Sequence, residues 1–160
     1  MKKAALIVSM ILVSISAYSQ GTREIRVTYR HSLRIPYNVI DIRVISANNQ
    51  YDIKLSTAQM EGKTGYEYSN TEKIIQIDEE YFEMIYKRIL DLDFREIILK
   101  NEHITGTDGV DVEISIGNFQ NNIILQVWSP GYKPDERNLE ELLSILKDIF
   151  VKIGLEQYYK

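Results

Sequence analysis

Hydrophobic and polar residues alternate through much of the first half of the chain. In TREIRVTYRHS, Ile25, Val27 and Tyr29 fall on one side and Arg26, Thr28 and Arg30 on the other, the period of two of a half-buried strand. IPYNVIDIRVIS gives a second strand with Ile40, Ile42 and Val44 aligned, ANNQ reads as a turn, and YDIKLS gives a third strand with Tyr51, Ile53 and Leu55 aligned. EGKTG marks the next break. GYEYSNTEKIIQI reads as a fourth strand unit, interrupted or folded back at Ser69-Asn70 because that pair favours turns.

The period changes at Asp78. Phe82, Ile85, Tyr86 and Ile89 recur at helical spacing, with Asp78 placed to cap the free amides of the first turn. Glu79 and Glu80 suit the positive end of the helix dipole, and Ile77 and Phe82 occupy the positions of a hydrophobic staple. REIILKN, residues 95 to 101, has no decisive period and is compatible with a helix or a short strand. A hairpin follows, and then the clearest element of the chain. Leu139, Leu142, Leu143, Leu146, Ile149, Phe150 and Ile153 form the apolar stripe of a helix of roughly four turns. Gly154 is placed to cap its C-terminus in the left-handed conformation, with Phe150 and Leu155 making the accompanying contact. The order is four strand units, helix, hairpin, helix. It predicts an α+β fold of two layers, a mainly antiparallel sheet with two helices packed on one face.

The hairpin carries the candidate site. Pairing Gly117 with Asn122 around residues 118 to 121 places Ile116 opposite Ile123, Ile114 opposite Leu125 and Val112 opposite Val127. These six aliphatics predict the face that the helices cover. The other face pairs Ser115 with Ile124, Glu113 with Gln126 and Asp111 with Trp128, a mixed set that suits solvent or a partner. Trp128 is the only tryptophan, and Ser129-Pro130 stops the strand behind it. With Ile124 on the same side it fits the aromatic anchor of a binding interface, unless a loop or the first strands cover it. The candidate binding residues are Trp128, Ile124, Asp111, Glu113 and Gln126.

Asp111 and Glu113 lie roughly 7 Å apart on one strand, close enough for acid/base work if burial raises one pKa. His103 and Asp108 extend the cluster. The spacing fails the calcium-loop pattern, because Gly109 directly follows Asp108. The plainer reading is a solvated hairpin face entered by an Asp-Gly turn. Arg26 and Arg30, with Arg34 and Arg43, could grip a carboxylate or phosphate, but Glu24, Asp41 and Asp52 are at hand to balance them. His31, between Arg30 and Ser32, reads as an ordinary exposed histidine.

The chain opens MKKAALIVSMILVSISAYSQ, a charged start, a short apolar run and small residues, as in a secretory signal peptide. The expected cut falls before Gln20, with one before Tyr18 as the alternative. The apolar run falls short of the about 20 residues of a comfortable span, so no membrane insertion is expected after removal. Residues 1 to 19 are then signal peptide and 20 to 160 a single domain in the periplasm or outside the cell. There is no cysteine, which excludes disulfides, thiol nucleophiles and an acylated-cysteine anchor. Residues 20 to 63 hold seven Lys/Arg against four Asp/Glu, whereas 64 to 160 hold ten against nineteen. Loss of Lys2 and Lys3 moves the formal charge from −4 to −6. Such an acidic balance argues against nucleic acid, whose affinity rests on clustered cations, and suits a basic partner or simple solubility.

In TDGVDVEISI, followed by QVWSPGYKPDERNLEELLSILKDI, the chain resembles small exported bacterial domains of unassigned function. These combine a DG turn, a strand, a second strand ending in W-S-P and a closing amphipathic helix. The resemblance covers the last third and implies no catalytic residue; some exported domains of this size act as immunity proteins against secreted toxins. GxSxG, HExxH and glycine-rich phosphate loops are missing. The expectation is a non-enzymatic, exported protein-binding module without cofactor or metal, its partner a protein such as a toxin. The alternatives are a small metal-assisted hydrolase using His103, Asp108, Asp111 and Glu113, and an envelope structural domain.

Overall fold

The computed structural model describes residues 22–31, 38–61, 67–106, 109–117 and 122–159. The expected signal peptide, Arg34, the 62–66 break, Asp108 and the 118–121 hairpin loop lie outside the described residues. The strands are β1 (Arg23–His31), β2 (Val39–Ala47), β3 (Gln50–Glu61), β4 (Glu67–Gln76), β5 (Val110–Gly117) and β6 (Asn122–Trp128). They form one sheet in the order β4-β3-β2-β1-β5-β6 with every neighbouring pair antiparallel. Helices α1 (Glu79–Leu90), α2 (Phe94–Asn101) and α3 (Glu140–Lys152) complete the α+β fold, with a short 3-10 turn at Glu156–Tyr158.

The alternation of the first half places Ile25, Val27, Tyr29, Ile40, Ile42, Val44, Ile53 and Leu55 on the buried face. Phe82, Ile85 and Ile89 of α1 and Leu142, Leu146, Ile149 and Phe150 of α3 join them in one core. Tyr29 meets Phe150 edge-on at 5.5 Å between ring centroids, an arrangement aromatic quadrupoles favour. The turn at Ala47-Asn48-Asn49-Gln50 works because Asn48 and Asn49 both take positive φ, as a two-residue hairpin requires. Asp78 Oδ1 accepts the Tyr81 amide at 2.7 Å, as its place before α1 suggests.

Residues 95 to 101 resolve as helix, because Asp93 caps the segment through the Glu96 amide at 2.9 Å. Among the described residues there are thus three α-helices, one more than expected. The C-terminus of α3 closes as expected around Gly154 at φ 74°. The Leu155 amide donates to Phe150 O and the Gly154 amide to Val151 O, the paired bonds of a Schellman ending. Two expectations need correction. β4 is not folded back at Ser69-Asn70 but runs straight through, with Gln59 opposite Ser69 and Ala58 opposite Asn70. β3 extends beyond Ser56 to Glu61, and the continuous ladder it offers outweighs the local turn preference. Ile123, on the face the helices cover, is nevertheless 46% exposed, since it lies near the far end of an edge strand.

Candidate binding face

The β5–β6 hairpin has the register in which partners sum to 239, from Asp111↔Trp128 to Gly117↔Asn122. Val112, Ile114, Ile116, Leu125 and Val127 are therefore buried against the helices. The five candidate binding residues share the opposite face. Ile124 and Gln126 are exposed there, while Asp111, Glu113 and Trp128 are half-buried.

The carboxylates are engaged by neighbours on that face. Arg30 Nη1 donates to Asp111 Oδ2 at 3.0 Å and lies 3.8 Å from Glu113 Oε2. Gln126 Nε2 donates to both Asp111 oxygens at 3.1 and 3.2 Å. A row Arg30-Asp111-Gln126 thus crosses three strands. Further along, Arg26 sits opposite Arg43, a like-charge pairing that is relieved diagonally. Arg26 reaches Asp41 and Arg43 reaches Glu24, as a balanced outer face requires. The hydrogen bond to Asp41 is the main reason the Arg26 pKa is raised, and Glu24 does the same for Arg43. His103 is exposed in the turn after α2. Among the described residues no group of three or more histidines, cysteines or carboxylates is arranged to hold a metal ion.

Trp128 has a loop against one side. A Cβ on Gly106 would run into indole Cζ2, and one on Gly109 would stand 3.0 Å from the same atom and 2.6 Å from Ser129 Oγ. Only glycine lets this backbone lie so close to the ring. Of the two readings of Trp128, the covering loop is therefore present, while Ile124 beside it is 57% exposed. α2 and the 104–106 segment leave a groove of about 510 Å³ along β6, lined by Ile98, Ile104, Ile124, Gln126 and Trp128 among others. A second hollow of about 290 Å³ lies toward Arg30 and Asn38, and Gly106, Asp111 and Trp128 border both.

Two contributors escaped the sequence reading. Ile98, 50% exposed, lines the groove beside Asn101 and Glu102. Its signal was available, because three consecutive apolar residues on a short helix cannot all face the core, and Ile97 takes the buried place. The other is Arg137, 3% exposed, whose Nη2 donates to the Trp128 carbonyl at 2.7 Å. Nothing in KPDERN marks that arginine as buried. Neither the protein-family models nor the curated proteins compared with the chain match it.

Proposed function

We propose that the chain is an exported, non-enzymatic protein-binding module that meets its partner through the α2–β6 groove. Neutralisation of a basic secreted toxin is the role its acidic balance fits best. The observation that carries the reading is the groove itself, where Ile98 and Ile124, half or more exposed, flank the tryptophan. Contiguous exposed apolar surface of this kind marks interaction sites. The hydrolase alternative draws less support, because Asp111 is held by Arg30 and Gln126 on an open strand face. Among the described residues no helix is long and apolar enough to cross a membrane.

The test is capture of a protein partner from envelope extract, followed by affinity and melting measurements on variants. Ile124→Ser and Ile98→Ser should melt with the parent yet lose most of the affinity, since exposed apolar anchors contribute to binding and little to folding. Leu125→Asp, placing an unpaired charge in the core, should fail to fold. Unchanged affinity in both isoleucine variants would move the interface elsewhere, with the arginine-bearing face of β1 and β2 next in line.

A further inference from the structure

The two edges of the sheet are built differently. β4, at one edge, exposes Glu72 and Lys73, charges of the kind that discourage strand pairing. β6, at the other, reads NIILQVW, with no charged residue and no proline. Its outward hydrogen-bonding groups follow from one contact. The Ser129 amide donates to Val110 O, which makes Val110 and Ser129 a bonded pair. Alternation then assigns the bonds toward β5 to Val127, Leu125 and Ile123. The amides and carbonyls of Asn122, Ile124, Gln126 and Trp128 point away from the sheet. Arg137 takes the Trp128 carbonyl, whereas among the described residues no backbone hydrogen bond takes those of Ile124 and Gln126.

We infer that this edge receives an extended segment of the partner as a seventh strand, and that the segment carries apolar and basic side chains. The inference rests on the binding-module reading and gives it a mode. Backbone bonds to Ile124 and Gln126 supply register, and alternate side chains of the added strand enter the apolar groove and face solvent in turn. Charge complementarity sets the chemistry: the groove lining contains Glu102, and Asp111 shared with Arg30, and no lysine or arginine. Ile98, Ile104 and Gly106 line the groove together with Ile124, Leu125 and Gln126 of β6, so side chains of an added strand have an apolar surface to enter. A second copy is the competing occupant, and it would bring its own acidic groove lining to the same edge.

The full chain should be screened against displayed random peptides about a dozen residues long, with the winners synthesised for affinity measurement. Winners should alternate apolar residues with lysine or arginine, and their binding should slow hydrogen exchange at the Ile124 and Gln126 amides. Gln126→Pro removes an outward amide and no backbone bond to β5, giving up only the side-chain bonds to Asp111 on the exposed face, so it should fold and weaken binding roughly five- to tenfold. Ile124→Lys should weaken the same peptides through charge repulsion. N-methylating alternate amides of the peptide tests the same bonds without altering the protein, and should also abolish binding on one of the two sets of positions. Full affinity in Gln126→Pro together with tolerance of every N-methyl group would overturn strand addition, as would a winning set rich in Asp and Glu. A dimer dissolved by Ile124→Lys would overturn the peptide occupant in favour of a second copy. Failure to enrich any peptide, while a captured protein still depends on Ile124, would overturn the extended segment and leave the binding module standing.

Discussion

Replacing Arg137 tests how the candidate face is held. The guanidinium is almost wholly buried and meets four acceptors. Nη1 donates to Ser129 O at 2.7 Å and Tyr132 O at 2.8 Å, Nη2 to Trp128 O at 2.7 Å, and Nε to Asn101 Oδ1 at 2.7 Å. Asn101 returns a bond to Arg137 O at 3.3 Å, so the last residue of α2 is tied to the loop from both sides. Burial is the first cause that lowers the Arg137 pKa, yet arginine stays charged in proteins. Its cost of desolvation is offset by using four of five N–H donors. The same loop carries Ser129, Lys133 and Asn138 at positive φ, conformations that persist only where surroundings over-determine them.

Arg137→Met keeps most of the packing stem and removes every donor. Hydrogen bonds to a charged group are worth about 1.5–3 kcal/mol each, and water entering the loop recovers part of their sum. The expected loss is about 3–5 kcal/mol, the range for breaking a buried charged network. A domain of this size has about 5–15 kcal/mol in total, so the variant should fold and be visibly weaker. Arg137→Lys, a point charge with three donors, should fall between the two. Urea unfolding followed by the emission of Trp128 reads stability and loop order together, since this is the only tryptophan. A Met variant that loses less than about 1 kcal/mol, the net worth of a single hydrogen bond, would refute the clamp.

Three further outcomes are expected. Gly106→Ala should displace the indole, shift its emission to longer wavelength and cost about 1–3 kcal/mol by overpacking, because a Cβ there overlaps the ring. Burial pushes the Tyr159 pKa from 10.0 up to about 12, so the unfolded chain releases this proton first. Its stabilisation is complete below pH 10 and is lost as pH rises toward 12; Tyr159→Phe should flatten that part of the urea-midpoint profile, and Tyr81, raised by burial in the same sense, should keep some slope. Intact-mass analysis of an envelope fraction should find a chain starting at Gln20, and unprocessed protein in the cytosol would refute export.

Where one residue pattern determines one geometry, the fold was legible. The aliphatic row Val112, Ile114, Ile116 admits a single register with Leu125 and Val127, since a slip of one residue would turn all of them to solvent. The caps at Asp78 and Gly154 were legible for the same reason, each being a local hydrogen-bonding need met by a neighbouring side chain or backbone conformation. The fate of Ser69-Asn70 was not, because it depends on how far β3 runs alongside. The five candidate residues were placed on one face by alternation alone. The groove was not, because its wall comes from α2 and the 104–106 segment, whose approach depends on Gly106 and on a clamp from residue 137.

The clamp and the open edge belong to one argument. Arg137 occupies the outward carbonyl of Trp128, so an added strand cannot pair beyond that residue. At the other end, Asn122 begins β6. The outward groups left open are thereby confined to those of Asn122, Ile124 and Gln126 and the Trp128 amide, too few to template an open-ended sheet and enough to register one short segment. An edge without charge or proline along its length is a hazard when long. Here the clamp shortens it at one end, and the groove lined by α2 makes it a site. Loosening the clamp should therefore do two things at once, lowering stability and lengthening the exposed edge. Arg137→Met should accordingly aggregate in mild urea at concentrations where the parent stays monomeric, and Arg137→Met combined with Ile124→Lys should not. Equal light scattering from the single and double variants would separate the clamp from the edge and break this link.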